Sequence, residues 1–336
     1  MKFLAKTFLY LVLPLVLLAG ATMGYAYFWA HDPLTLPAER VDVLVPPGST
    51  PVMVARQLTQ AGVSINPKFF SLLARFGEFD TKLKAGGYQV VRGDSPWLVL
   101  RRMARGDITQ RQLTIVEGWN LRQIRAALRQ HPDILQTADL ETDAQLLARL
   151  DSTSVYPEGL FFPDTYLFSI GTTDIEILQR AYKAQQQILD KAWPQRAEGL
   201  PIQTPYEALI LASIVEKETG SPADRARIAG VFVNRLRAGM PLQTDPTVIY
   251  GMGPAYDGKI RKRDLQTDTP WNTYTRGGLP PSPIASVGRQ ALAAALQPEK
   301  HDFYYFVSKG DGTSAFSTTL AEHNKNVSTY ILGRKP

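Results

Sequence analysis

The stretch TPYEALILASIVEKETG, residues 204–220, decides how the second half of the chain is read. Thr204 is a helix cap, Pro205 takes the first helical position, and Glu207 three residues on completes a capping box. Gly220 stops the helix, and Ser221-Pro222 opens the next one. The spacing therefore predicts one helix over 205–219. At about 100° per residue, Leu211, Ile214 and Val215 share an arc, and Glu218 falls inside it. Glu216 and Lys217 point elsewhere and read as solvated or paired. Leu209 and Ile210 lie off the arc, so the helix is expected to be buried on more than one side.

A carboxyl on an apolar face has its charged form disfavoured by lost hydration. The negative C-terminal end of the helix dipole acts in the same direction. Both effects keep Glu218 protonated towards neutral pH, as a general acid requires. The alternative is a structural glutamate bonded to a backbone amide or to an arginine such as Arg225 or Arg235.

The chain has 336 residues, room for two domains, with the composition of an ordinary globular protein. It contains no cysteine, which excludes disulfides, thiolate metal sites and a lipid-modified cysteine anchor. Its four histidines, His31, His131, His301 and His323, show no ligand spacing, so no metal site and no cofactor are expected. A formal charge of +6 suits an anionic polymer or surface. No dense Lys/Arg run, zinc knuckle or Gly-rich phosphate loop points to nucleic acid.

Thr7 to Ala30 is a charge-free run of 24 residues, TFLYLVLPLVLLAGATMGYAYFWA. At the helical rise it crosses a hydrocarbon core of about 30 Å. Lys2 and Lys6 precede it and His31 and Asp32 follow, which places the N-terminus in the cytoplasm and residues 32–336 outside. Tyr25, Tyr27, Phe28 and Trp29 form an aromatic belt at the far interface. Ala19-Gly20-Ala21 resembles a signal-peptidase site, the alternative reading. The apolar run continues nine residues beyond it, which favours an uncleaved anchor.

After a Pro-containing linker, strands are expected at 41–45 and 86–91, with helices at about 51–61 and 67–76 between them. A third helix runs from Ser95-Pro96 to Gly106. A strand at 113–116 and a helix capped by Asn120 come next, and residues 120–200 read as mostly helical around the loop YPEGLFFPDTY (156–166). Near the C-terminus, 303–308 and 315–317 form a hairpin through Lys309-Gly310-Asp311-Gly312, before a helix over about 321–332. The fold class is α+β, with a membrane helix, a small β-α-α-β domain and a mixed, largely helical domain.

Six motifs carry a resemblance: VEGW at 116–119, EGLFFPDTY at 158–166, ASIVEKET at 212–219, LQTDPTVIYG at 242–251, NTY at 272–274 with GLPPSPIA at 278–285, and FSTTLAEHNK at 316–325. Together they resemble the YceG-like (MltG) family of membrane-anchored endolytic murein transglycosylases, over nearly the whole chain. The resemblance implies a LysM-like domain within 32–108, after the anchor at 1–31, and a catalytic domain over 109–336. It also implies peptidoglycan glycan strands as substrate, a single-pass protein of the inner membrane with a periplasmic catalytic part, and cell-wall synthases as neighbours. The family's acid falls on Glu218. Such enzymes cut the β-1,4 bond between N-acetylmuramic acid and N-acetylglucosamine without water, leaving a 1,6-anhydro end.

Gln243, Thr244, Asn272 and Tyr274 are polar or aromatic loop residues suited to hydrogen-bonding N-acetyl groups and stacking on sugars. The alternative for each is bonding within its own loop. Tyr250 lines a groove or belongs to the core. Asp245 is the second carboxylate a hydrolase would need, or else an Asp-Pro turn residue. Glu158 and Asp164 read as ligands of loop amides, Glu117 as a turn residue, and His323 and Asn324 as structural. A muramidase and a non-catalytic glycan-binding scaffold are the rival functions.

Overall fold

The computed structural model describes residues 10, 12–138 and 142–333. Lys2, Lys6 and the start of the apolar run at Thr7 lie outside the described residues. The chain forms two compact units, Met1–Gln112 with Leu167–Thr172, and Leu113–Tyr166 with Thr173–Pro336.

The first unit opens with α1 (Leu13–His31), 19 residues long, apolar enough to cross a membrane and almost unburied. It runs unbroken through the Ala19-Gly20-Ala21 stretch. Strand β1 (Arg40–Val45) alternates exposed and buried, placing Val41, Val43 and Val45 in the core. It pairs antiparallel with β2 (Gly86–Val91), from Arg40 opposite Val91 to Val45 opposite Gly86. Between them lie α2 (Pro51–Gln60) and α3 (Pro67–Phe76), and α4 (Pro96–Arg105) follows. Each of these three helices starts on a polar cap, Thr50, Asn66 or Ser95, followed by proline. The cap oxygen satisfies an amide that the helix leaves without a partner, and proline has no amide to satisfy. Val54, Leu58, Phe70, Tyr88, Leu100 and Met103 fill the core.

The second unit is built around α8 (Pro205–Glu218), where every residue from Ala208 to Val215 is buried. Helices α9 (Pro222–Arg237) and α12 (Arg289–Leu296) pack against it. The other helices of this unit are α5 (Leu121–Gln130), α6 (Asp143–Arg149), α7 (Asp174–Ala192), α10 (Asp245–Met252), α11 (Lys262–Gln266) and α13 (Leu320–Tyr330). Strands β5 (Tyr305–Ser308) and β6 (Ser314–Ser317) form the C-terminal hairpin, with Phe306 opposite Phe316. The mixed α+β class is therefore seen, with three two-stranded sheets among the described residues.

Two expectations need correction. The strand placed at 113–116 is β3, Gln110–Thr114. Residues 120–200 are not helical apart from one loop, because β4 (Thr165–Ser169) pairs with β3. Tyr166 and Phe168 are its buried positions. Five residues show too little alternation to be read alone, and the pairing partner lies some fifty residues upstream, where no local pattern reports it.

Leu211 is fully buried on α8 among Ala212, Ile214, Val215 and Phe232. Truncating it removes methyl groups that the packed neighbours cannot replace. Leu211→Ala is expected to lower stability by about 2–5 kcal/mol, measured by denaturant unfolding.

Candidate active site

The last turn of α8 gives its three charged residues separate environments. The Glu216 carboxyl is buried, accepts the Gly288 amide at 2.9 Å and faces Arg225 at 3.8 Å. Gly288 is the N-cap of α12, so Glu216 satisfies the cap residue's own amide, the group that an N3 glutamate accepts in a capping box. Lys217 Nζ donates to the Gly118 carbonyl at 3.2 Å, tying the VEGW loop to α8. Glu216 is thus buried and paired, while Lys217 is exposed with its ammonium bonded to a carbonyl. Desolvation raises the Glu216 pKa, with the Gly288 amide opposing it.

Glu218 faces another way. Thr244 Oγ1 donates a hydrogen bond to its Oε1. Desolvation pushes the Glu218 pKa up to about 7. The Asp245 charge acts in the same direction, while the Thr244 hydrogen bond and the Arg235 guanidinium oppose it. The direction agrees with the helical-wheel argument, and burial is the leading cause.

Thr244 is the N-cap of α10, yet its hydroxyl makes no capping bond. A threonine there ordinarily bonds an amide of the first turn. Here the hydroxyl is diverted to Glu218, and the backbone around it is fixed by other means. The Thr244 amide donates to Thr273 Oγ1 at 3.1 Å. Thr247 Oγ1 donates to the Thr244 carbonyl at 2.7 Å and lies 2.8 Å from Thr273 Oγ1. Gln243, just before, adopts a left-handed backbone with φ of 49°, and its amide donates to the Thr273 carbonyl. A non-glycine residue held there stores strain, which the surrounding bonds must sustain. Its side chain is exposed.

Asp245 opens α10 and is exposed. Tyr274 Oη donates to its Oδ1 at 2.7 Å. Burial and then this bond raise the Tyr274 pKa, so the phenol stays a donor. Arg235 reaches in from α9. Its Nε donates to the Tyr304 carbonyl at 2.7 Å and its Nη1 to the Leu242 carbonyl at 2.8 Å. The guanidinium carbon lies 5.2 Å from the centre of the Tyr305 ring, and His323 stacks on Tyr305 at 5.3 Å. Burial first, then the Arg235 charge, lowers the His323 pKa.

The remaining expected residues fall elsewhere. Asn272 is 1% exposed, and its Nδ2 donates to the carbonyls of Asp264, Leu265 and Thr267. Its Oδ1 accepts the Tyr274 amide. Both ends of that amide group are committed to the loop. Tyr250 is half-buried, stacks edge-on against Trp271 at 5.4 Å and shares a hydrogen bond with Glu158. Glu158 accepts the Leu121 and Gly159 amides, and desolvation pushes its pKa up to about 7. A side chain at Gly159, with φ of 75°, would run into the Pro283 ring, so the EGLFFPDTY and GLPPSPIA loops pack directly. Asp164 Oδ1 accepts the Thr165 amide.

Thr273, Tyr305 and His323 join the neighbourhood without having been singled out for it. Thr273 was visible only as the middle of NTY, and His323 only as a lone helical histidine. A cavity of about 290 Å³ is lined by Tyr156, Pro270, Asn272, Thr273, Arg276 and residues 277–281. Glu218 is not among its walls, but Thr273 is, and its hydroxyl accepts the amide of Thr244, which bonds Glu218.

The raised pKa of Glu218 fixes a sign for stability. The native state keeps the proton over about pH 4.5 to 7, where the unfolded chain has released it. The contribution is full below about pH 4.5 and is lost as pH rises through about 7. Glu218→Gln is expected to remain folded and to lose less stability than the parent between those limits, measured by thermal unfolding across pH. An equal pH dependence in both would contradict this.

The chain matches the model of the YceG-like family over residues 43–329. It is 32% identical to a protein of Bacillus subtilis named endolytic murein transglycosylase, covering 87% of this chain and 85% of that one. A Streptococcus pneumoniae protein of the same name is 28% identical, across 96% of this chain and 64% of its own length. A crystal structure of a YceG-like protein from Listeria monocytogenes superposes with a TM-score of 0.54 at 32% identity, covering 85% of this chain and 98% of that one. With the family model matched across most of its length, this chain belongs to the YceG-like family.

Proposed function

We propose that this chain is an endolytic peptidoglycan lytic transglycosylase in which Glu218 is the acid and base. The observation that carries the reading is the Glu218 carboxyl at the end of a buried helix, bonded by the Thr244 hydroxyl, where desolvation pushes its pKa up to about 7. The named relatives supply the substrate class, glycan strands of murein.

In the first step protonated Glu218 gives its proton to the glycosidic oxygen between N-acetylmuramic acid and N-acetylglucosamine. The C1–O bond breaks and positive charge develops at C1. The Glu218 carboxylate then takes the proton of the muramic C6 hydroxyl, and O6 bonds to C1. One proton is given and one returned, no water is consumed, and the product ends in a 1,6-anhydro ring. Thr244 holds the carboxyl in one orientation through both steps. The charge on Arg235 favours the carboxylate formed midway. Gln243, exposed beside Thr244, and Tyr274, bonded to Asp245, are suited to contact sugar.

We further propose that α1 anchors the protein with its N-terminus in the cytoplasm and the residues after it in the periplasm. The charge pattern and the length and exposure of α1 support this. The β1-α2-α3-β2 order and the antiparallel pairing of β1 with β2 support a LysM-like, glycan-holding role for the first unit. Anchored beside the synthases, such an enzyme would set the length of new strands.

Mass spectrometry of fragments released from purified peptidoglycan tests the chemistry. Anhydro-muramic ends are expected, and Glu218→Gln should lose about 10²–10⁴ of the rate, the usual worth of a positioned general acid. Reducing ends abolished by Asp245→Asn would instead make it a muramidase, a reading that the exposed Asp245 carboxylate beside Glu218 keeps in view. No products from the parent chain would favour the scaffold.

The pH profile supplies a second test. kcat/KM should fall as pH rises through about 7 and Glu218 loses its proton. Because the Thr244 hydrogen bond lowers that pKa, Thr244→Val should move the alkaline limb to higher pH while reducing the rate. A limb unmoved by this substitution would remove Thr244 from the site.

A further inference from the structure

Helix α3 in the first unit is apolar on two faces. Phe70 and Ala74 point into the core and are fully buried. Phe69, Leu72 and Phe76 are 44%, 49% and 84% exposed. They follow i, i+3, i+7 spacing and fall within an arc of about 60° on the helical wheel. Lys68 and Arg75 lie next to this stripe on the wheel, both exposed and neither in an ion pair among the described residues. Scattered surface hydrophobes need no explanation, but an ordered stripe edged with cations does.

The first unit itself indicates what covers the stripe. The Trp29 ring, near the end of α1, packs edge-on against Phe69 at 5.7 Å. His31 stacks on Trp97 at 5.9 Å, and Trp97 meets Phe79 at 5.1 Å. Ala30 and Leu34 are buried, so the end of α1 is packed into the unit rather than joined by a loose tether. A helix of 19 residues is about 28 Å long, close to the thickness of a hydrocarbon core. With α1 across a bilayer, Trp29 sits at the outer interface, where tryptophan and tyrosine collect. Phe69, in contact with Trp29, sits at the same level.

We propose that α3 is an interfacial helix. Phe69, Leu72 and Phe76 enter the boundary between headgroups and acyl chains of the bilayer that α1 crosses. Lys68 and Arg75 bind the lipid phosphates beside them. Amphipathic helices of this kind bury an apolar face about 5–10 Å deep with basic residues alongside. The first unit then rests on the membrane in one orientation, which confines the glycan it holds to the layer next to the bilayer. The proposal rests on the reading of α1 as a membrane anchor.

The absence of cysteine allows single-site labelling of the full chain. Leu72→Cys and, separately, Leu17→Cys in α1 would carry an environment-sensitive fluorophore in vesicles containing anionic phospholipid. Lipids bearing nitroxide at shallow or deep acyl positions, and iodide in the water, serve as quenchers. The Leu72 label should be quenched mainly by shallow nitroxide, with iodide access several-fold lower than in detergent. The Leu17 label should be quenched mainly by deep nitroxide. A deep Leu17 label with a Leu72 label open to iodide would overturn the interfacial helix alone. A Leu17 label untouched by deep nitroxide would remove the anchor and the interfacial helix with it. Protection of the Leu72 label only on adding glycan strands would make the stripe a sugar platform and overturn the lipid assignment.

Discussion

The chemistry of the second unit depends on the desolvation of one carboxyl. Glu218 ends a helix that is buried from Ala208 to Val215. Its burial disfavours charge, the nearby Asp245 adds to that, and Thr244 and Arg235 limit how far the shift goes. The balance leaves a proton that is held near neutral pH and can still be given away. A fully apolar setting would hold it too tightly to give it to the glycosidic oxygen, and a wet one would lose it before the reaction.

The surrounding motifs are largely occupied in setting that balance. Glu216 and Lys217 hold the Gly288 cap and the VEGW loop, which fixes the direction of the last turn of α8. Asn272 uses its whole amide group to shape the 264–274 loop, so that Thr273 meets Thr244 and Tyr274 meets Asp245. The diverted cap at Thr244 and the left-handed Gln243 show local stability yielding to geometry at the site. Ser213 binds the far loop, donating to the Ile210 carbonyl and accepting the Ile284 amide.

Much of this was legible in the sequence, for physical reasons specific to each element. Proline at the first helical position marked the starts of α2, α3, α4 and α8, because the missing proline amide is a local signal. The placement of Glu218 on an apolar arc followed from helical periodicity alone. Strand β4 was not legible, because its partner is distant in sequence. The roles of Asn272 and Thr273 were not legible either, since a polar loop residue looks the same whether it faces a sugar or its own backbone. His323 acquired a meaning only through Tyr305 and Arg235, which tertiary packing brings to it.

The most direct test is the titration of Glu218 itself. With glutamate carboxyls labelled by carbon-13, NMR spectra of the parent chain and of Glu218→Gln across pH assign its signal by difference. The account predicts one carboxyl titrating near pH 7 that is missing from the variant and is distinct from that of Glu158. A Glu218 signal titrating near the ordinary value of 4.5 would contradict the account, because the proton would be gone before the enzyme had use for it.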